Sequence, residues 1–237
     1  MSHKDDIRLS IDGPIATVTL RRTAKRNALD SDFSHTIAGA LHEAEDRGAR
    51  ILVLRSAIPV FSSGVDLSEP IRLDSDSPEL VIADTLLRTE LFVVSVFEGP
   101  ALAGALMFAA LSPLAVAGEQ ATFWLPERRL GLYPGRVLAY LEETVPPRQA
   151  HWLALTEERV TAQQALQLGL ISTVLAPGGF EHDLDSLLRD LAAADPAFLS
   201  AARRTWLMRF RSEQFLRRTA EYDAVLTDNL RGTRESR

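Results

Sequence analysis

Between Glu98 and Gly131 the chain reads EGPALAGALMFAALSPLAVAGEQATFWLPERRLG, and this stretch constrains the fold more than any other. A turn of small residues, Gly99 to Ala105, leads into an apolar segment of helix length. That segment stops at Ser112-Pro113, because proline cannot continue a helix. Leu114 to Gly118 then reads as a buried strand, and Pro126-Glu127 sets one carboxylate behind an apolar run. Upstream, Ile51 to Leu54 and Phe92 to Phe97 are further short runs of the kind covered on both faces of a sheet. Strands alternating with helical segments imply a mostly parallel α/β arrangement. A small-residue turn entering a helix leaves backbone N–H groups unpaired with nothing bulky before them. Such a terminus carries partial positive charge and can hold an anion or a developing oxyanion. Tight packing of a buried helix would account for the same residues.

The remaining elements follow in order. Ile7, Leu9 and Ile11 alternate with polar residues, Asp12-Gly13-Pro14 turns the chain, and Ile15 to Leu20 alternates again, which predicts a hairpin. Arg21 to Asn27 is a polar, basic loop. Asp30 or Ser31 caps a helix carrying Phe33, Ile37, Leu41 and Ala44 at helical spacing, with Gly48 beyond its end. His35 and His42 on that helix have no acidic partner in the pattern and read as surface residues. Phe61 to Leu67 follows the strand at 51–54. Gly64 there lets the backbone turn so that the N–H of Val65 points into a cavity, and Asp66 holds the loop by bonding its amides. Ser68 to Pro78 is polar and proline-bounded, the best candidate for a lid, before a helix from Glu79 to Thr89. Thr161 to Gln164 is a capping box opening a short helix that Gly169 ends. After Pro177-Gly178-Gly179 the pattern is helical, 180–194 and 197–229, broken at Asp195-Pro196. Six arginines crowd it (203, 204, 209, 211, 217 and 218) and read as a solvated, salt-bridged face, the alternative being that one of them reaches a ligand phosphate, and the tail after Gly232 reads as frayed.

A chain of 237 residues holds one sizeable core and is too short for two full α/β domains. Its net charge of −6 argues against nucleic acid as the main partner, since phosphate binding needs clustered positive charge. The absence of cysteine excludes disulfides, thiolate metal sites and a Cys nucleophile. The charged N-terminus has no apolar region of a secretory signal. Ala101 to Gly118 is interrupted by Ser112-Pro113 and lacks basic anchors, so no membrane span is expected. These features fit a cytoplasmic protein.

Four segments together resemble the crotonase family of enoyl-CoA hydratases and isomerases: Lys25-Arg26-Asn27-Ala28-Leu29, Phe61-Ser62-Ser63-Gly64-Val65-Asp66-Leu67, the turn at 99–105, and Pro126-Glu127 with Gly131-Leu132. The family pattern runs R-N-A-L, F-x-A-G-x-D-L, N-G-x-A-x-G-G and P-E-x-x-x-G-L, and closes with A-x-x-x-G-L, matched by Ala165 to Leu170. The resemblance covers about Ile15 to Leu175. It implies a crotonase-like α/β spiral of ββα units over 1–180, with a C-terminal helical trimerisation segment over 181–237. It also implies a homotrimer or homohexamer and an acyl-CoA substrate, with CoA entering as part of the thioester and no cofactor or metal.

By the same resemblance the amides of Val65 and Gly104 would hold the thioester oxyanion, and Glu127 would be the acid/base. Lys25, Arg26, Ala28, Ser63, Gly64, Asp66, Leu67 and Met107 would border the substrate. Hydratases of the family use a second glutamate three residues after the oxyanion glycine, and this chain has Met107 there. Residues three apart share a helix face, so Met107 is expected to look into the cavity, where a thioether cannot move a proton. The glycine-rich run that hydratases carry after the P-E motif is also missing at Arg136 to Tyr140. One carboxylate against an apolar wall favours isomerising a 3-enoyl-CoA to a 2-enoyl-CoA, as in fatty acid metabolism, with Glu127 taking the proton at C2 and returning it at C4. Hydration or decarboxylation with a single carboxylate, and a non-catalytic CoA- or partner-binding protein, are the alternatives.

Overall fold

The computed structural model describes residues 3–235 apart from Glu69 and Leu73. β1 (Ile7–Asp12) and β2 (Ile15–Leu20) form the hairpin that their alternation predicts, paired antiparallel from Ile7↔Leu20 to Asp12↔Ile15. The chain then crosses through α1 (Ser31–Asp46), whose first turn is closed by the Asp30 carboxylate accepting from the Phe33 amide. It returns in β3 (Ile51–Ser56), parallel to β2. A second crossover runs through α2 (Pro78–Arg88), capped by Ser77, into β4 (Phe92–Phe97), parallel to β3.

After β4 come a short strand β5 (Ala101–Leu102), a 3-10 turn at Ala103–Ala105 and the helix α3 (Leu106–Leu111). β6 (Leu114–Gly118) joins the sheet parallel to β4. β7 (Thr122–Trp124), α4 (Gly135–Leu141), α5 (Pro147–Thr156) and β8 (Val160–Thr161) follow. α6 (Ala162–Gln167) opens with the expected capping box, Thr161 and Gln164 each serving the other's backbone amide. β9 (Thr173–Leu175) lies parallel to β6. Among the described residues the main sheet therefore runs β1-β2-β3-β4-β6-β9, and a small second sheet runs β5-β7-β8. This is the crotonase-like α/β architecture.

The uninterrupted apolar runs have a direct cause. Leu52 and Leu54 of β3 join the cluster of Phe33, Ile37 and Leu41 from α1 and Ile82 and Leu86 from α2. Ile51 and Val53, with Val94, Val96 and Val116, face the other way. There they pack on Leu184 and Leu188 of α7 (Phe180–Ala193) and Leu199 of α8 (Pro196–Leu207). Both faces are covered, so no strand position can be polar without a partner. Ser95 is polar and meets that condition: its hydroxyl bonds Ser112 Oγ at 2.7 Å.

The C-terminal helices depart from the sequence reading in two respects. The run expected over 197–229 is broken at Met208–Arg211, a 3-10 turn. Ser212 then caps α9 (Glu213–Glu235) by accepting from the Phe215 amide at 3.1 Å. Four of the six arginines are also tied to backbone carbonyls, while Arg204 and Arg217 are exposed. Arg203 is 3% exposed, and it and Arg211 donate to the carbonyl of Leu87. Arg209 and Arg218 donate to the carbonyls of Glu143 and Ala139. These contacts tie the late helices to carbonyl groups at or near the ends of α2 and α4. The tail expected to fray after Gly232 is helical to Glu235, and 236–237 lie outside the described residues.

Candidate active site

Three segments far apart in sequence meet along the edge of the small sheet. Ser62 bridges Ala101, and β5 pairs in parallel with β7 through Ala101↔Phe123 and Leu102↔Trp124. Each segment then turns: into Gly64-Val65, into Ala103-Gly104, and into Pro126-Glu127. Gly64 has φ of 83°, and a Cβ placed there would lie 2.6 Å from the Ala103 Cβ and 2.9 Å from the Leu102 carbonyl oxygen. No other residue fits. Ala103 itself sits at φ of 53°, a left-handed conformation that a residue with a Cβ adopts at some cost. The bonds that fix these turns run from Leu29 N–H to Gly64 O, Asp66 N–H to Leu29 O and Leu102 N–H to Ser62 O. None of them uses the amides of Val65 or Gly104.

Both residues line a cavity of ≈ 100 Å³, together with Ser63, Leu67 and Glu127. Glu127 opens a 3-10 turn (Glu127–Leu130) closed by Gly131 at φ of 69°. Its Oε2 is inaccessible to solvent and has no hydrogen-bond partner among the described residues. Burial, reinforced by the nearby charges of Glu79 and Glu157, pushes its pKa up to about 7. A carboxyl group tuned to that range is suited to both taking and giving a proton near neutrality.

The other residues singled out from the sequence are placed as follows. Lys25 reaches over the second segment, its ammonium 2.9 Å from both Asp66 Oδ2 and Ser68 Oγ. Asp66 also accepts from the amide and hydroxyl of Ser68. Burial opposes its ionisation, but the Ser68 hydroxyl and the Lys25 ammonium bring its pKa down to about 2. Arg26 is exposed at φ of 51°. Ala28 is buried, and its carbonyl accepts from Arg22 Nη1. His35, read as lacking an acidic partner, has one in the loop: Asp76, at 2.6 Å, which also accepts from Ser31.

Met107 differs from the expectation. It is fully buried and is not among the residues lining the cavity. The whole of α3, Leu106 to Leu111, is buried and packs against α4, so the face it shares with Gly104 is covered by protein. A second carboxylate arrives from elsewhere. Glu79, in the first turn of α2, lines the cavity, and its Cγ lies 3.1 Å from where a Gly104 Cβ would stand. Its Oε2 is 3.8 Å from Arg136 Nη1. Arg136 is itself buried, held by Ser77 Oγ at 2.7 Å and by Asp223 Oδ1 of α9 at 2.8 Å. Burial raises the pKa of Glu79, against the pull of Arg136. Sequence reasoning passed over Glu79 because an acidic residue behind Ser77-Pro78 reads as ordinary helix-start chemistry. Only the path of the 68–77 loop brings it over Gly104.

Comparison with known proteins bears on the family and the fold. The sequence profile of the enoyl-CoA hydratase/isomerase family matches residues 10–234. The enoyl-CoA hydratase domain-containing protein 3, mitochondrial, of Danio rerio is 28% identical over 92% of this chain and 78% of its own length. The carnitinyl-CoA dehydratase of Salmonella arizonae is 29% identical over 83% of this chain and 78% of its own. The crystal structure of an enoyl-CoA hydratase/isomerase from Xanthobacter autotrophicus Py2 superposes with a TM-score of 0.82 at 27% identity, covering 94% of this chain and 87% of that one. On the strength of the profile match across nearly the whole chain, this protein belongs to the enoyl-CoA hydratase/isomerase family, the crotonase family.

Proposed function

We propose that this protein acts on an acyl-CoA thioester and isomerises a 3-enoyl-CoA to a 2-enoyl-CoA. The observation that carries the proposal is the Glu127 carboxyl group, buried with one oxygen unpartnered in a cavity that Val65 and Gly104 also line. In this reading the thioester oxygen lies on the amides of Val65 and Gly104, each worth roughly 3 kcal/mol to a developing oxyanion. Glu127 takes a proton from C2, and the electrons spread into a dienolate whose negative charge rests on that oxygen. Leu130, Leu132 and Val137 supply an apolar wall for the acyl chain and exclude water that would otherwise add to the double bond. Lys25 and Arg26 approach the CoA phosphates, and no cofactor beyond the CoA of the substrate enters. We further propose a trimer or a hexamer of two trimers, with the C-terminal helices at its interface, working in the cytoplasm.

Hydration of a 2-enoyl-CoA is the second reading. Glu79 favours it, because two carboxylates can hold and split a water between them. The deciding experiment is incubation with 2-enoyl- and 3-enoyl-CoA in deuterated water. Isomerisation with deuterium entering at C2 and C4 is expected. Formation of a 3-hydroxyacyl-CoA faster than any isomer would replace the proposal by hydration. CoA binding with no exchange at C2 would make the protein a binding module.

A further inference from the structure

Glu79 is a second proton-handling group that the family pattern of this chain does not provide for. It does not stand three residues after Gly104, where a fully buried Met107 is found. It comes from the first turn of α2, after a loop of about ten residues, and lines the same cavity as Glu127. Its side chain is 17% exposed, and its charged neighbour is Arg136, 3.8 Å away. That guanidinium is only 4% exposed and cannot swing aside, because Ser77 Oγ and Asp223 Oδ1 hold it from two directions. The arrangement is asymmetric. Glu79 has a fixed cation beside it to stabilise the charge left when it gives up a proton, whereas the buried Glu127 Oε2 has no partner among the described residues.

We propose that Glu79 is the acid that protonates C4 of the dienolate, so that the two ends of the reaction are served by two carboxylates rather than by Glu127 alone. This rests on the isomerase reading above. The step balances without a co-reactant. Glu127 as carboxylate breaks the C2–H bond and keeps the proton. The electron pair becomes the dienolate, and C4 then takes the proton from the Glu79 carboxyl group as the C2=C3 double bond forms. The cycle ends with the proton on Glu127 and the charge on Glu79 beside Arg136, and it resets by proton exchange with solvent. Burial raises the pKa of both groups, and the nearby charge of Glu79 adds to the rise at Glu127.

The test uses 3-hexenoyl-CoA with the wild type, Glu79→Gln, Glu79→Asp and Glu127→Gln in deuterated water. Deuterium at C2 of recovered substrate and formation of 2-hexenoyl-CoA are followed separately. Glu79→Gln is expected to keep C2 exchange within about threefold of wild type while isomerisation falls about a hundredfold or more. Glu79→Asp should recover part of the isomerisation, and Glu127→Gln should lose both reactions. Wild type given substrate deuterated at C2 in ordinary water should release the label to solvent and not carry it to C4. Isomerisation by Glu79→Gln within about threefold of wild type would overturn the proposal. So would loss of C2 exchange in parallel with isomerisation, or label carried from C2 to C4. A wild type that neither exchanges C2 nor isomerises would overturn the isomerase reading itself, a failure told apart because no variant is needed to see it.

Discussion

At Glu127 catalysis and stability pull in opposite directions. A glutamate ordinarily ionises at 4.5, and burial moves this one to about 7. The folded state therefore holds a proton that the unfolded chain has lost. The stabilisation is complete below the unfolded value and disappears as pH rises through about 7. Above that pH a buried charge remains, at a cost of about 3 kcal/mol. Glu127→Gln should therefore melt at a higher temperature than wild type at pH 8, with the gap closing by pH 5. Scanning calorimetry at the two values reads this directly, and equal melting temperatures at pH 8 would contradict the buried-carboxylate picture. The same variant should lose C2 proton exchange about a hundredfold or more. In the wild type, exchange should rise with pH through about 7, as expected of a base.

The elements around the site were legible to differing degrees. The hairpin, the parallel strands and the capping box at Thr161 follow from periodicity and short-range chemistry, which depend on neighbours in sequence. The Gly64 and Gly104 turns could be anticipated from small residues and a family pattern. Their contact, Gly64 against Ala103, could not, because it joins segments about forty residues apart. Met107 failed for an instructive reason: a shared helix face says where a side chain points, not whether empty space lies there. Glu79 and Arg136 were invisible for the complementary reason, being brought together by a loop and by α9. Gly104 lies where these segments meet, and its variant is informative. Gly104→Val puts a branched side chain 3.1 Å from Glu79 Cγ, a flexible neighbour that can give way, so the fold should survive. Activity should fall by about a hundredfold, the scale of a misplacement of about 1 Å. Normal turnover by a folded Gly104→Val protein would mean that the thioester oxygen binds elsewhere.

Across the whole molecule, the exposed side chains Phe198, Met208, Leu216 and Val225, in α8, in α9 and in the turn between them, are large and apolar. Sedimentation at micromolar concentration is expected to give a trimer or a hexamer, and a monodisperse monomer would refute that assembly. Those helices also reach inward. Gly135, at the start of α4, lies so close to Tyr222 of α9 that an added Cβ would meet its carbonyl oxygen at 2.8 Å, and Asp223 beside it neutralises Arg136. A ribosome delivers the chain from its N-terminus, so both turns and Glu127 emerge long before Asp223. Until the last helix is made, Arg136 has no carboxylate from α9 to balance it, and a guanidinium in that state resists burial. The pocket is therefore expected to be complete only after α9 has packed, and chains that stop before Asp223 would carry the reactive carboxyl group without the frame that directs it.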